Sequence, residues 1–521
     1  MRAWRAAVFA ALFLGAAAMP RGVAAQDVTL SSPDGAVEIT GTLLGFDGEF
    51  YRVDTIYGEL TVDGSGVRCT GPGCPNLEAF VAELRLSGSS TIGDILIPAL
   101  LEAFALRSGY GLRRERDDAD HATFVLFEEA EGEPVARFRV RATSTDEGFA
   151  DLLADEADIA MALREIRGAE ARLAAAAGLG DLDGAGRSRV LALDALVPVV
   201  APGNPVRAIS MLELARVFGG VIDNWADLGG PDAPITLHLR DAGSGLGQAV
   251  EDRLLAPSGL VLAEGAVRHG ADADLARAVA DDRLGLGLAS YAETGNTQPL
   301  AIRGACGFTL RAERRTIKTE DYPLTAPLFL YLPARRLPKI GRDFLSYLRS
   351  APAQIVIRRA GFVDQAPEEV PVAEQGDRFV NAIMQSGPEI GLDELKRMAG
   401  ALAPMRRLTT SFRFRPGSAR LDAQSLSNVE QLARALEEGR YDARRLVFVG
   451  FSDGQGPAAG NRRIAMDRAE AVRGAVVAAA EGAELDRVTL DVEAFGEALP
   501  MACDDSAWGR QVNRRVEVWV R

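Results

Sequence analysis

Three segments in the middle of the chain place serine, threonine and glycine between a predicted strand and a predicted helix. They are Ser87–Thr91, Ala142–Gly148 and Arg240–Gly245. At such a turn the free N–H groups and the dipole of the helix converge, which favours an anion. Each turn alone also fits a simple helix N-cap. Three together, one with an arginine whose fork of donors suits a tetrahedral oxyanion, favour an anion-binding site.

Spacing argues against other chemistry at these turns. Gly243, Gly245 and Gly247 lack the spacing of a dinucleotide-binding loop. Ser244 lacks the context of a nucleophile, since no histidine lies in a recognisable triad pattern. We find no paired carboxylates, no Cys–His arrangement and no cluster of metal ligands in the sequence. The sequence therefore predicts a binding protein without catalytic residues, cofactor or metal, rather than an enzyme.

A carboxylate and a guanidinium in the C-terminal part have the complementary charges that bind a zwitterion. Asp453 ends a predicted strand at a glycine-rich turn. In the next helix Arg468 falls, at 100° per residue, within an apolar arc that includes Ile464 and Val472. A cation within an apolar face needs a partner, unless its guanidinium reaches solvent at the rim. The two side chains therefore either bind a ligand or form a salt bridge with each other.

The four cysteines allow two kinds of pairing. Cys69 and Cys74 enclose a short Thr-Gly-Pro-Gly loop that can bend enough for a local disulfide. A metal site there would need more ligands than two thiolates. Cys306 and Cys503 belong to different predicted domains, where they are either free or join the domains covalently.

The elements that position these residues belong to more than one fold. Residues 26–78 combine Asp-Gly turns with short runs of Val, Ile, Tyr, Phe and Thr, which predicts a small all-β unit. From about Leu84 predicted strands alternate with helices, such as the strand Val190–Ala201 and the helix Met211–Phe218. This alternation predicts an α/β fold with open sheets. Phe344–Ala360 is predicted as one further helix.

A chain of 521 residues is too long for one core, and composition divides it further. Pro367–Gln375 is rich in Pro, Glu and Ala, and Arg378–Leu402 is predicted to be helical, so this region is interpreted as a linker with a helical spacer. The predicted segments are a leader of residues 1–25, a small β domain of residues 26–78, an α/β domain of residues 79–365, the linker and spacer of residues 366–405, and a second α/β domain of residues 406–521.

The first residues have the pattern of a secretory leader. Arg2 and Arg5 precede the apolar run Ala6–Met19, and Val23–Ala25 fits the small-residue cleavage rule, so Gln26 is the predicted new N-terminus. No later window approaches 18 uninterrupted apolar residues, so the mature chain is predicted to have no membrane span. The formal net charge of −15 argues against nucleic acid or an anionic membrane surface as a main partner.

Four motifs follow one another in the 79–365 domain, namely Ser87–Thr91, Leu193–Val200, Asn224–Gly230 and Arg240–Gly245. In this order they resemble the periplasmic phosphate-binding proteins of ABC importers, over roughly Leu84–Asp364. The resemblance implies two α/β lobes that close on a ligand like a hinge. It places the anion contacts on Ser90, Thr91, Ile92 (through its backbone), Ser144, Arg240, Ser244 and Gly245.

Two positions depart from that family pattern. Leu246 stands where the family usually has a threonine, and it cannot donate a hydroxyl hydrogen bond. Leu163 and Arg164 stand where well-known members carry an aspartate that accepts the proton of hydrogen phosphate, or a serine before arginine. Arg164 could supply charge to the anion instead. These changes matter because a desolvated anion needs nearly every partner satisfied.

The C-terminal part carries an ordered set of motifs, namely Gly450–Gly456, Asn461, Arg468-Ala469, Phe495–Pro500 and Asn513–Glu517. In order and spacing they resemble the OmpA-like domain, from about Thr409 to Arg521. The resemblance implies non-covalent binding to peptidoglycan, with Asp453 and Arg468 as the clamp for diaminopimelate in the stem peptide and Asn461 beside them.

Together these features predict a multidomain protein with a small all-β unit, a two-lobed α/β binding-protein domain and an α/β OmpA-like domain. The predicted function is to bind phosphate or a related oxyanion in the periplasm of a Gram-negative envelope, in association with peptidoglycan or the outer membrane. An ABC importer permease is a predicted partner. The alternative is a structural envelope protein whose binding domain has lost its ligand and contacts other proteins.

Overall fold

The computed structural model describes residues 27–77, 80–128, 132–387, 389–415 and 417–521. The predicted leader lies outside the described residues. The described residues divide into two compact units, one that ends at Phe80 and one that extends from Val81 to Arg521. Among the helices of the described ranges, none combines the length and apolar character that crossing a bilayer requires.

The first unit is an antiparallel sheet in the spatial order β4-β3-β2-β1-β5. Its strands are β1 (Asp27–Ser31), β2 (Glu38–Phe46), β3 (Phe50–Thr55), β4 (Gly58–Asp63) and β5 (Arg68–Thr70). Alternate residues of these strands, including Leu30 and Val53, point to one side and form a small core. Cys69 and Cys74 form a disulfide at the end of β5. The predicted all-β unit is present.

The second unit begins with the two-lobed α/β region. Its strands are β6 (Ala82–Ser89), β7 (Tyr110–Arg116), β8 (His121–Glu128), β9 (Pro134–Thr143), β10 (Ile159–Ala162), β11 (Ser188–Val200), β12 (Ala208–Ser210), β13 (Thr236–Arg240), β14 (Val267–His269), β15 (Gly285–Ser290), β16 (Gln298–Pro299), β17 (Ala301–Arg303), β18 (Thr309–Leu310) and β19 (Thr325–Tyr331). Its helices are α1 (Ile97–Ser108), α2 (Thr145–Leu153), α3 (Gly168–Ala176), α4 (Met211–Phe218), α5 (Gly245–Val250), α6 (Asp272–Asp281), α7 (Arg314–Lys318), α8 (Lys339–Tyr347) and α9 (Ala351–Arg359).

One long strand joins the two lobes. β11 is an almost continuous buried run, as expected of a strand covered on both faces. Its first part pairs with β19, and its last five residues, Leu196–Val200, pair with β15. The first lobe therefore holds β6–β10 and β19, and the second lobe holds β13–β15 with the small sheet of β12, β17 and β18. β11 and β19 form the hinge region between them.

The remaining elements form the C-terminal domain around a five-stranded sheet in the order β20-β21-β24-β22-β23. The strands are β20 (Glu369–Pro371), β21 (Arg406–Arg413), β22 (Arg445–Phe451), β23 (Thr489–Gly496) and β24 (Arg515–Val520). The helices are α10 (Gly376–Gln385), α11 (Leu392–Leu402), α12 (Ala423–Glu437), α13 (Ala458–Ala479) and α14 (Ala507–Asn513). Helices α12 and α13 cover one face of the sheet.

The interpretation of residues 366–405 as a linker and spacer is wrong, although its helical part is present. β20 pairs antiparallel with β21, so the predicted linker is an edge strand of the C-terminal sheet. In α11, Met398 and Leu402 are buried against Val447 and Trp519 on the second face of that sheet. The segment is held in place because it supplies half of this core.

Cys306 of the second lobe and Cys503 of the C-terminal domain form a disulfide. The sequence left open whether these two cysteines are free or join the domains, and the structure shows that they join them. The binding-protein region and the C-terminal domain accordingly belong to one compact unit, Val81–Arg521.

Candidate functional site

A cavity of about 760 Å³ lies between the two lobes, and the three hydroxyl-rich turns meet at its wall. Five of the seven predicted anion contacts line it: Ser90, Thr91, Ser144, Arg240 and Ser244. The other two, Ile92 and Gly245, are the next residues of two of these turns and are buried. Strands β6, β9 and β13 all end at this cleft. They therefore bring together residues as far apart in the sequence as Ser90 and Ser244.

In the first turn, Ser90 and Thr91 line the cavity, whereas the hydroxyl of Ser87 donates to Asp151. Strand β6 runs directly into a π-helical turn, Thr91–Leu96, and Ser90 at its start makes no capping hydrogen bond. Thr91 is 4% exposed, and the hydroxyl of Ser89 in the same turn is buried with no hydrogen-bond partner within the described residues. The Oγ1 atom of Thr143, at the end of β9, is also buried without a partner there. Buried hydroxyls without partners are costly, so they are expected to receive a ligand or ordered water.

The second turn caps a helix and faces the same cavity. The Ser144 hydroxyl accepts a hydrogen bond from the backbone N–H of Glu147 at 3.2 Å, which makes it the N-cap of α2. Ser144 therefore does cap a helix, which is one of the two roles that the sequence allowed for this turn. It still leaves the hydroxyl proton available for donation, because the cap uses only a lone pair. Gly148 is required here, since a Cβ would lie 2.7 Å from the Cα of Gly88 in β6.

The third turn is less open than predicted. Ser244 caps α5 by accepting from the N–H of Gly247 at 3.0 Å, and its own proton is donated to the carbonyl of Asp241 at 2.7 Å. The buried side chain of Leu163 lies against Gly245, so close that a Cβ on Gly245 would be 2.9 Å from the Cβ of Leu163. Leu246 is 1% exposed and points into the core. An anion at α5 would therefore use mainly backbone N–H groups.

Arg240 is one of the two arginines that line the cavity. Its side chain is 6% exposed, and its Nη1 donates to the carbonyl of His269 at 3.1 Å. Its Nε lies 2.9 Å from Oδ1 of Asp272, at the start of α6. This pair is a charge contact rather than a hydrogen bond, because the N–H is not aligned with the oxygen. Burial raises the pKa of Asp272, and the charge of Arg240 opposes this shift.

The charges around the cavity limit how an anion can be held. Six carboxylates and two arginines contribute to its wall. One of the arginines, Arg141, is already bound to Asp151, with 2.7 Å between Nη1 and Oδ2. Burial raises the pKa of Asp94, another wall residue. An anion would therefore depend on Arg240, hydroxyl groups and backbone N–H groups, and not on a positive surrounding field.

The structure does not bring Arg164 to this cavity. Its guanidinium is bound by Asp146 and by both carboxylate oxygens of Glu170, at 2.7 and 2.9 Å. The suggestion that Arg164 supplies charge to the anion is wrong, because Arg164 does not line the cavity and both of its outer nitrogens are bound to carboxylates. Asp272 is the site residue that the sequence analysis missed. It follows a strand at a Gly-Ala-Asp turn without hydroxyls, so the pattern that identified the other turns could not identify this one.

In the C-terminal domain, Asp453 and Arg468 do not pair with each other. Oδ2 of Asp453 lies 2.6 Å from Nη1 of Arg514. The half-buried guanidinium of Arg468 lies 5.1 Å from the ring centre of Phe414 and has no ion pair within the described residues. Burial lowers the pKa of Arg468, and the neighbouring Arg514 lowers it further. The guanidinium is thus available to a carboxylate of a ligand.

Two details of this predicted clamp differ from expectation. Ile464 is 45% exposed, so Arg468 lies at the edge of the buried stripe of α13 rather than within it. Asn461 is buried, and its side-chain amide donates to Oε2 of Glu497 at 2.5 Å and to the carbonyl of Gly456 at 3.4 Å. Asn461 therefore holds the glycine-rich turn that follows Asp453, and its contacts place it as a support of that turn.

Comparisons with known proteins agree with this architecture. A model of the PBP superfamily domain matches residues 78–352, more than half of the chain, and a model of the OmpA family matches residues 413–514. Protein SphX of Synechococcus elongatus is 27% identical over 238 residues, which cover 43% of this chain and 68% of SphX. Phosphate-binding protein PstS of Bacillus subtilis is 30% identical over 165 residues, which cover 31% of this chain and 52% of PstS.

Solved structures are similar to parts of the chain. An ABC-type phosphate transport receptor from Vibrio cholerae aligns with a TM-score of 0.42 and 20% identity, over 54% of this chain and 99% of the receptor. The periplasmic domain of MotB from Helicobacter pylori aligns with a TM-score of 0.19 and 20% identity, over 22% of this chain and 73% of that domain. The family models confirm the two resemblances predicted from the motifs. The chain belongs to the PBP superfamily and carries a C-terminal domain of the OmpA family.

Proposed function

We propose that the protein binds phosphate or a related oxyanion between its two lobes and attaches non-covalently to peptidoglycan through its C-terminal domain. The observation that carries the first part is the meeting of three strand-to-helix turns and Arg240 at one cavity. Helix starts, hydroxyls and a guanidinium are donors, and a desolvated oxyanion needs many of them. The names of the relatives, phosphate-binding protein PstS among them, support the same ligand class.

Calorimetric titration of the whole protein with phosphate, and separately with sulfate, tests this site. We expect binding of at least one of the two anions. Arg240→Ala should weaken it by roughly 10- to 100-fold, because a charge-assisted hydrogen bond to a buried anion is lost. Arg216→Ala removes the same charge from an exposed position of α4 and should leave the affinity unchanged. No binding of either anion at millimolar concentration would contradict the proposal.

A second candidate function is a structural envelope protein whose cleft holds no anion. The third turn favours it, since the Ser244 proton is used internally and Leu163 lies against Gly245. In that case neither anion would bind, while attachment to the wall would persist. The same titration, combined with the wall-binding assay below, separates the two functions.

Attachment to the wall is proposed to depend on Asp453 and Arg468. Their opposite charges suit the ammonium and the carboxylate of a diaminopimelate residue, and Arg468 has no ion pair of its own within the described ranges. Asp453→Ala and Arg468→Ala should each reduce co-sedimentation with isolated sacculi by about tenfold or more. Arg463→Ala, on an exposed position of the same helix, is the matched control. Unchanged sedimentation of both clamp variants would refute the assignment.

The proposed site of action is the periplasm of a Gram-negative cell. The leader pattern of residues 1–25 and the two domain families support export to the envelope. An ABC importer permease is the proposed partner that would receive the anion, and no chemical conversion of the ligand is part of this function.

A further inference from the structure

The C-terminal domain contacts the first lobe through buried or half-buried charges. The guanidinium of Arg415 binds the carboxylate of Asp183 through both of its outer nitrogens, with 2.7 Å for the Nη1 contact. The backbone N–H of Ala423, at the start of α12, donates to Oε1 of Glu165 at 3.1 Å. Both acidic residues belong to the first lobe, in the stretch between β10 and β11.

The same domain is joined to the second lobe at two places. The Cys306–Cys503 disulfide connects it to the loop between β17 and β18. The indole N–H of Trp508, in α14, donates to the carbonyl of Arg253 at 2.8 Å. Next to the disulfide, the N–H of Ala305 donates to Oδ2 of Asp505 at 2.9 Å.

The hinge region between the lobes is held as well. Arg407 of β21 forms two hydrogen bonds with Asp321, just before β19, at 2.8 and 3.2 Å, and both side chains are 4% exposed. The N–H of Val190 in β11 donates to the hydroxyl of Ser427 in α12 at 3.3 Å. Hinge closure needs the lobes to rotate as rigid bodies about a few flexible residues. Here one rigid domain is attached to both bodies and to the hinge.

We propose that the C-terminal domain fixes the angle between the two lobes, and that the Cys306–Cys503 disulfide is the contact that makes this restraint complete. A ligand can shift lobes between an open and a closed state only by its difference in affinity for the two states, so a covalent restraint removes that response. Reduction of the disulfide frees the second lobe and restores hinge motion. The restraint itself does not depend on the ligand, whereas its effect on binding rests on the proposed function.

The distance between the lobes in the whole protein tests this proposal. Spin labels can be attached at Leu106→Cys in α1 and Val261→Cys in the second lobe, both 83% exposed. Double electron–electron resonance should give one narrow distance distribution for the oxidised protein, unchanged by millimolar phosphate. With Cys306→Ser and Cys503→Ser added, the distribution should become about twofold broader. Cys69→Ser with Cys74→Ser, which removes the disulfide of the first unit, should leave it narrow.

Two results would overturn the proposal. A distribution in the oxidised protein that shifts on addition of phosphate would show that the lobes close despite the attached domain. An equally narrow distribution in the Cys306→Ser, Cys503→Ser protein would show that the disulfide does not complete the restraint. If phosphate does not bind at all, the widths of the distance distributions of the ligand-free proteins, with and without the disulfide, still test the restraint. Failure of the proposed function and failure of the restraint are therefore distinguishable.

Discussion

Two consecutive carboxylates, Glu320 and Asp321, titrate in opposite directions because their partners differ. The pKa of Asp321 is lowered to about 2, against the effect of burial, by the charges of Arg407 and neighbouring arginines. Burial raises the pKa of Glu320 to about 8, with the nearby Asp422 acting in the same direction. The Oε1 atom of Glu320 is buried without a hydrogen-bond partner in the described part of the chain. These shifts favour the protonated form of Glu320 and the ionised form of Asp321 at neutral pH.

Glu320→Gln should change how stability depends on pH. A raised pKa means that the contribution of Glu320 to stability is complete below its usual pKa of 4.5 and is lost as pH rises towards 8. The glutamine variant should match the wild type at pH 4.5 and exceed its free energy of unfolding by about 1–3 kcal/mol at pH 8.5. Urea unfolding at the two pH values measures this difference. Glu251→Gln, at an exposed position, should leave the free energy of unfolding unchanged at both pH values. If the free energy of unfolding of wild type and Glu320→Gln changed equally between the two pH values, this explanation would be contradicted.

The candidate site was predictable only as far as its residues carry a local pattern. Ser90, Ser144 and Ser244 follow strands and begin helices, so the sequence predicts both their structure and their convergence. The contact between Leu163 and Gly245 joins the two lobes and has no local signal. The same holds for Asp272, whose role beside Arg240 depends on two strands that lie next to each other in space.

At the scale of elements, the predicted helix boundaries hold where capping residues or proline mark them. Met211–Phe218 is a helix as predicted, and Ser210 and Glu213 form the capping box that begins it. Phe344–Ala360, predicted as one helix, is two, because the Ser350 hydroxyl accepts from the N–H of Ala353 and starts a new helix with Pro352 in its first turn. The apolar spacing across Phe344–Ala360 favours one helix, so only the Ser-Ala-Pro signal could have shown the break.

Strand β20 and helices α10 and α11 are expected to be necessary for the stability of the isolated C-terminal domain. A fragment of residues 366–521 should be soluble and unfold cooperatively. A fragment of residues 406–521 exposes Val447, Phe451 and Trp519, which α11 and its neighbours otherwise cover. At about 1.5–3 kcal/mol per large apolar side chain, that loss is comparable to the stability of a whole domain. Circular dichroism during thermal unfolding compares the two, and equal cooperativity would show that the segment is dispensable.

At the scale of the whole molecule, the surface between the binding-protein region and the C-terminal domain was the least predictable feature. Its arginines, such as Arg407, Arg413 and Arg415, look in the sequence like ordinary surface charges. In the structure, Arg407 and Arg413 are buried, because they bind carboxylates and carbonyls of the other region. The two domain families followed from the motifs, whereas contacts between the regions arise from residues far apart in sequence, such as Arg407 with Asp321, 86 positions apart, and Ala423 with Glu165, 258 apart.

The Cys306–Cys503 disulfide also has a consequence for how the protein matures. Its two cysteines are 197 residues apart, whereas those of the first unit are five apart. The short loop can close as soon as its own segment meets an oxidant, whereas Cys306 must wait for its partner until most of the C-terminal domain has been synthesised. In the exported protein proposed above, interrupted synthesis would leave Cys306 as a free thiol in an oxidising compartment. Formation of both disulfides therefore requires that nearly the whole C-terminal domain has been made together with the binding region.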